Sequence, residues 1–386
     1  MPISLGGGGF GPPAAAAPAP PSGGGGNDGT APTYISALSD YQVARLTSPT
    51  NGKVHLNDTM PAAWVGVSGA WGTNPNITAA FSGGCYDALG AFAYIHGGGH
   101  SDSANNGLWR YIFNGTTAPT GWELLDISPT PASVTANADP TSTSPNRPIS
   151  IHTYAGLALD PDTNKVFRFA GGQWDSGAMP TKNWAFDVSA GTWAQTQNTP
   201  YAANNPVTSI IDDVSRKILV ISHTGDWWFY RIDTNVVGGQ GSDDQQAFDS
   251  VGAYDPTRSR AYLWAPSELW QIDIDWTAET TSWSAATPSG ATSIISSAKG
   301  AFFYDQDSDR YWLFPLVSGS TSMTAVYDMT PSLVITSHST SGTNTGFGTD
   351  GWSGSYNKIC PMLQWRAVGF ITGISDAAYV VKLPIL

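Results

Sequence analysis

The chain has 386 residues, of which 43 are glycine, 27 proline and 16 tryptophan, and only 12% are charged. Its formal net charge of −13, with just 17 Lys and Arg, argues against binding to nucleic acid or anionic membranes, because both require clustered basic residues. No apolar run approaches the roughly 20 residues needed to span a bilayer, so we expect no membrane insertion.

Residues 1–34 form a low-complexity arm rich in Gly, Pro and Ala, followed by a second predicted unit at residues 35–386. The arm cannot bury enough apolar surface to fold alone. It is either a disordered linker or an anchor that orders against a partner, with Leu5 and Phe10 as its few apolar contacts. It lacks the basic start and continuous apolar core of a secretory signal.

A strand–turn–strand pattern recurs from about residue 78 to the C-terminus. Its first β-rich runs lie at residues 91–98, 165–172, 217–225, 260–266, 310–316 and 366–373, mostly after polar turns such as "DPDTN". Its second runs, which are aromatic and β-branched, lie at 108–113, 183–188, 226–233, 268–275, 324–329 and 377–383. Further short runs often carry a tryptophan, as in "GTWAQ". Such runs are typical of half-buried strands.

The repeat predicts an all-β fold, a single β-propeller of six four-stranded blades. One blade cannot bury both of its faces, whereas a closed ring can. A seventh blade stays open as an alternative, because residues 128–154 form a long Pro/Ser/Thr insertion. The last copy ends after its third strand, so an N-terminal segment must close the ring, and "GKVHLND" at 52–58 is the candidate.

The chain resembles the propellers of the kelch and galactose-oxidase central-domain class. The resemblance rests on the glycine pairs at 97–98 and 171–172 and on aromatic residues such as Trp184, Phe186 and Trp193. It implies a propeller architecture for about residues 50–386. It says little about activity, because propellers carry unrelated functions.

The motif "HGGGHSD" at 96–102 falls between the second and third strands of the first blade, where glycines permit tight turning. The corresponding loops of other blades lie on the same face, so we predict a ligand-binding rim. Its residues are His100, Asp102, Trp174, Asp175, His223, Asp226, Trp227, Glu268 and Asp376. Aromatic faces beside carboxylates suit a sugar ring. The alternative is that the aromatics pack between blades and the polar loop tips face water.

Catalytic chemistry is not expected. The resemblance to galactose oxidase would imply copper with two tyrosines, two histidines and a cysteine linked to a tyrosine. However, "CY" at 85–86 is predicted in a turn on the face opposite the histidine loops. No GxSxG, HExxH or Walker-type loop is present, so we predict no cofactor and no metal, with His96, His100 and Asp102 as the alternative metal site.

The two cysteines, Cys85 and Cys360, occupy equivalent positions in the first and last blades. These blades are neighbours in a closed ring, so a disulfide stays open as an alternative. Equivalent Cα atoms on adjacent blades are expected to lie beyond the roughly 7 Å limit for a bridge.

The organisation also resembles that of phage tail fibres and baseplate appendages, which combine a short Gly/Pro-rich anchor with a β-rich head. This resemblance implies a structural component of a tailed-phage particle, anchored to other virion proteins by the arm and recognising a host-surface glycan. A Ser/Thr/Asn/Gly-rich composition without an export signal fits, because virions leave the cell by lysis. Alternatives are a bacterial carbohydrate-binding kelch module, a carbohydrate-active enzyme and a cytosolic interaction propeller. A homo-oligomer is left open.

Overall fold

The protein is described here from a computed structural model. The described residues are 30–64, 82–97, 105–128, 147–169, 171–173, 181–201, 205–243, 245, 249–297, 300–315, 323–342, 356–371 and 378–385. Within them the fold is all-β. One short α-helix, α1 (Thr33–Ser36), precedes the first strand, β1 (Gln42–Leu46), and four 3-10 segments lie at Leu56–Thr59, Ala62–Trp64, Thr292–Ser297 and Leu363–Trp365.

The first three blades are consecutive four-stranded antiparallel meanders. Blade 1 contains β2 (Gly84–Asp87), β3 (Phe92–His96), β4 (Leu108–Ile112) and β5 (Gly121–Asp126). Blade 2 contains β6 (Leu157–Asp160), β7 (Lys165–Arg168), β8 (Trp184–Asp187) and β9 (Thr192–Gln195). Blade 3 contains β10 (Pro206–Asp212), β11 (Lys217–Ser222), β12 (Asp226–Arg231) and β13 (Val236–Ser242).

The remaining strands complete three more blades. Blade 4 contains β14 (Val251–Asp255), β15 (Arg260–Ala265), β16 (Glu268–Asp275) and β17 (Thr280–Ala285), followed by the short β18 (Ser289–Gly290). Blade 5 contains β19 (Ala301–Asp305), β20 (Arg310–Phe314), β21 (Ala325–Met329) and β22 (Val334–Ser339), followed by the short β23 (Ser341–Gly342). Blade 6 contains β24 (Ile359–Met362), β25 (Ala367–Ile371), β26 (Ala378–Lys382) and, as its outermost strand, β1. The prediction of six four-stranded blades is confirmed.

Apolar packing between neighbouring blades holds the ring together. The buried apolar residues of the described chain form six clusters, and each joins residues of two adjacent blades, including blades 6 and 1. Fully buried tryptophans such as Trp109, Trp184 and Trp312 fill these layers. Burying a large apolar side chain contributes roughly 2–3 kcal/mol. Each blade thus buries both faces, which a single sheet could not do.

An N-terminal strand closes the ring, as predicted, and β1 supplies it. This strand pairs antiparallel with β26, with Val43 opposite Val381 and Leu46 opposite Ala378. Val43 is fully buried in the layer between blades 5 and 6. The short β23, which follows blade 5, pairs parallel with the outer edge of β1. The closing strand therefore has partners on both edges.

The prediction that residues 52–58 close the ring is wrong. That segment lies beside blade 1, where the backbone N–H of Trp122 donates to the carbonyl of Lys53 over 3.3 Å. Leu56 is buried between blades 6 and 1. Both this segment and β1 carry apolar side chains among polar ones, so periodicity could not distinguish them.

The turn before the outermost strand has the same geometry in most blades. Gly191, Asn235, Glu279 and Leu333 directly precede the outermost strands of blades 2 to 5, and all have positive φ, between 54° and 65°. Tyr41, with φ 59°, directly precedes β1. A left-handed conformation costs a non-glycine residue roughly 1–2 kcal/mol. Because Tyr41 has the same left-handed conformation, the N-terminal segment enters blade 6 with the geometry of a continuous blade, although it comes from the other end of the chain.

Candidate functional site

The two faces of the ring carry very different lengths of chain. On one face, the first and second strands of each blade are joined by four-residue turns at 88–91, 161–164, 213–216, 256–259, 306–309 and 363–366. We call this the turn face. The opposite face, which we call the connection face, carries the longer links, including residues 127–156 between blades 1 and 2.

Five of the nine predicted rim residues lie outside the described residues. These are His100, Asp102, Trp174, Asp175 and Asp376. The predicted anchor residues Leu5 and Phe10 also lie outside them. His223, Asp226, Trp227 and Glu268 are described, and all four lie at the connection face, in or just after the turns between second and third strands.

His223 and Asp226 belong to the tight turn between β11 and β12. The His223 Nδ1 atom accepts a hydrogen bond from the Asn205 N–H at 3.1 Å, and burial lowers the pKa of the imidazole. The Asp226 carboxylate accepts from the Thr224 hydroxyl at 2.7 Å. Gly225 makes the turn possible with φ +83°. This turn is ordered by its own polar contacts, with His223 neutral near pH 7.

Trp227 and Glu268 have opposite environments. Trp227 is only 7% exposed, and its indole N–H donates to Asp243 at 3.0 Å, so it is a core residue and offers little stacking surface. Glu268 is exposed and accepts a hydrogen bond from the indole of half-buried Trp270 at 3.0 Å. Trp270 was missed by the sequence reasoning, although its place two residues after Glu268 at the start of a strand was a usable signal.

Hydrogen bonds between blades narrow the centre of the ring at the connection face. Near the start of the innermost strands, the Gly84 N–H donates to the carbonyl of Tyr356 and the Ser209 N–H to that of Ala155, at 3.1 and 3.0 Å. The Gly252 N–H donates to the Thr208 hydroxyl at 2.9 Å. These bonds join blade 1 to blade 6, blade 2 to blade 3, and blade 3 to blade 4. The backbones therefore approach closely at this end.

A buried polar cluster lies at the same narrow end. Tyr356 donates its hydroxyl hydrogen bond to Asp249 at 2.7 Å, and its ring packs edge-on against Tyr154 with centroids 5.2 Å apart. All three residues lie shortly before an innermost strand. All have positive φ: Tyr356 and Tyr154 have 41°, and Asp249 has 57°. Three strained backbones in contact are held only where the surrounding structure fixes them. Nothing in the sequence pattern indicated this cluster.

An axial cavity of about 730 Å³ extends from this narrow end to the turn face. The innermost strands of blades 1 to 5 line it, together with Asn357 just before the innermost strand of blade 6, and most of its wall is apolar. Exposed residues of the turns, including Val214, Pro256 and Gln306, surround its opening. The cavity is thus open on the face opposite the predicted rim. The rim residues that the structure describes are absent from its lining.

Two acidic residues, Asp212 and Asp213, lie in the cavity wall, and Asp213 is the one without a role in the turn that sequence reasoning missed. Its Oδ1 atom is buried and has no hydrogen-bond partner among the described residues. Burial, together with the nearby charges of Asp160, Asp162 and Asp212, raises the pKa of its carboxyl from an ordinary value of 3.8 to about 6. The doublet "DD" at 212–213 was a signal, because the first aspartate already supplies the turn-forming carboxylate.

The turn face also carries charged contacts between blades. Arg216 of blade 3 binds Asp160 and Asp162 of blade 2, and Arg366 of blade 6 binds Asp305 of blade 5 at 2.8 Å. The side chains of Asp160 and Asp305 are fully buried. Buried carboxylates need such partners, because an unpaired charge would be costly.

Cys85 and Cys360 occupy equivalent places on the innermost strands β2 and β24 of neighbouring blades. Both thiols are buried and free, and the Cys360 Sγ contacts the carbonyl oxygen of Asp87 at 3.6 Å. The prediction that Cys85 lies in a turn is wrong, because strand β2 already begins at Gly84. Burial raises the pKa of both thiols, so neither is an activated nucleophile.

His96, which the alternative metal site would use, is fully buried and packs edge-on against Trp193. Burial and the charge of Arg168 keep its pKa well below the ordinary range. Among the described residues, no group of three or more His, Cys, Asp or Glu side chains is arranged to hold a metal ion. No helix in this part of the chain is both long and apolar enough to cross a membrane.

The N-terminal segment meets the ring at the turn face. Helix α1 packs on blade 1, where the Thr33 N–H donates to the carbonyl of Thr116 at 2.9 Å and the Tyr34 hydroxyl donates to that of Phe113. Thr116 lies in the link between β4 and β5, which belongs to the turn face. The arm therefore joins the propeller on the side opposite the connection face.

Comparison with known proteins adds no functional assignment. No protein-family description matches the chain, and no curated protein matches it. A solved structure of a protein from Lactobacillus plantarum is 11% identical, with a TM-score of 0.45, and the match covers 77% of this chain and 78% of that one. A likeness this distant carries no argument about function. The chain is a six-bladed β-propeller on the strength of its strand order and its packing between blades.

Proposed function

We propose that this chain is a structural recognition component of a tailed-phage particle. The N-terminal arm attaches it to other virion proteins, and the connection face binds a glycan on the host surface. The observation that supports this best is the polarity of the ring, because the arm joins at the turn face. An anchor on one side leaves the opposite side free to meet a surface.

The distribution of chain length supports the same polarity. Binding residues are concentrated on loops held by a rigid scaffold. Long connections are also uncommon in compact domains unless they have a function. Here the long links lie on the connection face, whereas the first-to-second strand turns of the other face have four residues each. The arrangement favours recognition on the connection face.

Glu268 and Trp270 are the described pair best suited to a sugar. The carboxylate of Glu268 is exposed, and the half-buried indole of Trp270 lies within hydrogen-bond distance of it. A sugar ring packs its apolar face on an aromatic ring while its hydroxyls donate to an acceptor. This pair therefore extends the predicted rim.

We further propose that the blades are kelch-like. In kelch-class blades a glycine pair follows the second strand. Here Gly171 lies so close to His152 that an added Cβ would be 2.3 Å from its carbonyl oxygen. The carbonyl of Gly172 accepts a hydrogen bond from the His152 N–H at 2.8 Å. Gly97, with φ +75°, has Ile151 as its close neighbour. These three glycines let neighbouring chain segments approach closely, which is a structural use of the motif.

Deletion of residues 1–29 tests attachment to the particle. We expect the shortened protein to keep its melting temperature, because β1 and α1 are retained, and to be absent from purified particles by mass spectrometry. The full-length protein serves as the control. Absence of the full-length protein from particles, or incorporation without the arm, would overturn the attachment proposal and favour an independent carbohydrate-binding module.

A matched pair of tryptophan variants tests glycan recognition. On host-surface glycans, Trp270→Ala should weaken binding roughly tenfold, as loss of one aromatic contact predicts. Trp283→Ala, which removes a similarly half-buried tryptophan on the outermost strand of the same blade, opposite Ile272 and farther along the strands from the connection face, should leave binding unchanged. Equal loss in both variants, or no glycan binding by the full-length protein, would contradict the proposal.

A further inference from the structure

The axial cavity has the size and wall of a small-molecule site. Its volume of about 730 Å³ lies within the range of ligand pockets, which is roughly 300–1,000 Å³. Apolar side chains such as Leu157, Leu159 and Phe303 form much of the wall. The strands are tied together at the connection face and the opening lies at the turn face, so a ligand would enter from the turn face.

One carboxylate in this wall lacks a protein partner. The Oδ1 atom of Asp213 is buried without a hydrogen bond in the described part of the chain. Arg216, the nearest cation, already binds Asp160, Asp162 and Asp233. The charges that act on Asp213 are therefore mostly negative, and no neighbouring cation is committed to it. Asp213 as a whole is half-buried, but a buried carboxylate oxygen without a hydrogen bond is unfavourable unless something neutralises its charge.

Asp213 faces the interior of the ring. It belongs to blade 3, and its charge acts on Tyr86 in blade 1, where burial first and Cys360 and Asp213 next raise the pKa of the phenol. Both residues line the cavity. The cavity wall thus brings a carboxylate of blade 3 and a phenol of blade 1 to the same space, where a ligand would lie.

Two aromatic residues, Tyr254 and Trp276, also line the cavity. The indole of Trp276 donates to the Tyr254 hydroxyl at 2.7 Å, and that hydroxyl donates to Asp212 at 3.0 Å. Their polar atoms are thus committed to each other, so Tyr254 and Trp276 can offer a ligand mainly ring surface. Aromatic rings attract organic cations, and most strongly when water is excluded.

We propose that the axial cavity binds a small organic cation, with its ammonium group at Asp213 and its apolar body against the aromatic and aliphatic wall. A divalent metal fits less well, because no group of three acidic, histidine or cysteine side chains in the described residues is arranged to coordinate one. The site lies on the opposite face from the proposed glycan rim and does not depend on it.

Calorimetry with benzyltrimethylammonium as the probe tests the proposal. At pH 8 the full-length protein should bind one equivalent, and Asp213→Asn should weaken binding roughly tenfold or more, because the attraction between opposite charges is lost. Asp307→Asn, which changes an exposed aspartate of a turn-face loop, should leave affinity unchanged. Affinity should also fall as the pH decreases through about 6, where Asp213 gains its proton.

Two further measurements make the result unambiguous. The neutral analogue benzyl alcohol should bind at least tenfold more weakly than the cation, since it lacks the positive charge that attracts the carboxylate and the aromatic rings. The melting temperature of Asp213→Asn should equal or exceed that of the unmodified protein at pH 8, which excludes unfolding as the cause of lost binding. No binding of the cation, equal affinity for both probes, or full affinity in Asp213→Asn would overturn the proposal.

Discussion

The turn face and the connection face of this propeller are built from the same strands but obey different constraints. On the turn face, a residue with positive φ ends each four-residue turn, at Ala91, Asn164, Arg216, Ser259, Asp309 and Arg366. In five blades an aspartate four residues earlier ends the innermost strand and accepts backbone hydrogen bonds within the turn. The connection face has no such regularity in the described residues. A repeated turn stabilises the ring, whereas irregular links are free to serve recognition.

The largest expected difference between the faces comes from removing one carboxylate on each. Asp255 is fully buried and accepts hydrogen bonds from the backbone N–H groups of Thr257 and Arg258 and from the Arg258 side chain. Asp255→Ala should lower the free energy of unfolding by roughly 3 kcal/mol, because these donors lose their acceptor. Glu268→Ala on the connection face should change it by less than about 0.5 kcal/mol, since Glu268 is exposed. Urea denaturation measures both, and equal losses would refute the contrast.

A hydroxyl deletion probes the narrow end at the connection face. Tyr356→Phe removes the 2.7 Å hydrogen bond to Asp249 and should lower the free energy of unfolding by about 1.5 kcal/mol. Tyr327→Phe is the matched control, with an expected loss below about 0.5 kcal/mol, because that side chain is only half-buried in the third strand of blade 5. If both variants unfold alike, the polar cluster does not help to hold the innermost strands together.

One titratable residue on each face should make the stability of the protein depend on pH, in opposite directions for the two faces. Asp213, on the turn face, has a raised pKa, so its stabilising contribution is complete below 3.8 and is lost as the pH rises through about 6. Asp213→Asn should therefore raise the melting temperature at pH 7.5 and leave it unchanged at pH 3.5. The gain should be at most about 2 kcal/mol, since the side chain is partly solvated.

His223, on the connection face, has a lowered pKa caused mainly by burial. Its contribution is present above the ordinary value of 6.5 and is lost as the pH falls through the lower value in the folded protein. His223→Gln should keep an acceptor for the Asn205 N–H and reduce the loss of stability below pH 6.5. Thermal melts of both variants across pH 3.5–8 measure these effects, and shifts of the same sign would contradict the comparison.

The smallest expected effect concerns backbone strain in a turn. Ser259 has φ 48°, so Ser259→Gly should stabilise the protein by about 0.5 kcal/mol, as the left-handed conformation costs glycine less. On the connection face, Gly97→Ala should cost about 1 kcal/mol, because Gly97 has φ +75° and its Cβ would lie 3.1 Å from the Ile151 carbonyl oxygen. Destabilisation by Ser259→Gly would show that the serine side chain matters more than its backbone.

Much of the fold could be predicted because each blade is a local unit. The run at residues 91–98 contains β3, and the run at 226–233 contains β12, since alternating apolar side chains and Asp/Gly-rich turns specify strands and hairpins within a short stretch. The candidate site was less predictable. Tryptophan is a residue type that stacks on sugar rings, and Trp227 was therefore predicted in the rim. In the structure it packs against Phe229 and donates a hydrogen bond to Asp243, which places it in the core.

By itself the sequence determined the four-stranded content of the blades and the need for an N-terminal closing strand, and it favoured six blades over seven, because these features follow from short-range periodicity and turn chemistry. Only the tertiary structure decided that Gln42–Leu46 closes blade 6, that the arm joins at the turn face, and that the axial cavity opens there with Asp213 in its wall. The physical reason is that these features depend on contacts between residues far apart in the chain. Their partners are chosen by the shape of the closed ring, which no local pattern encodes.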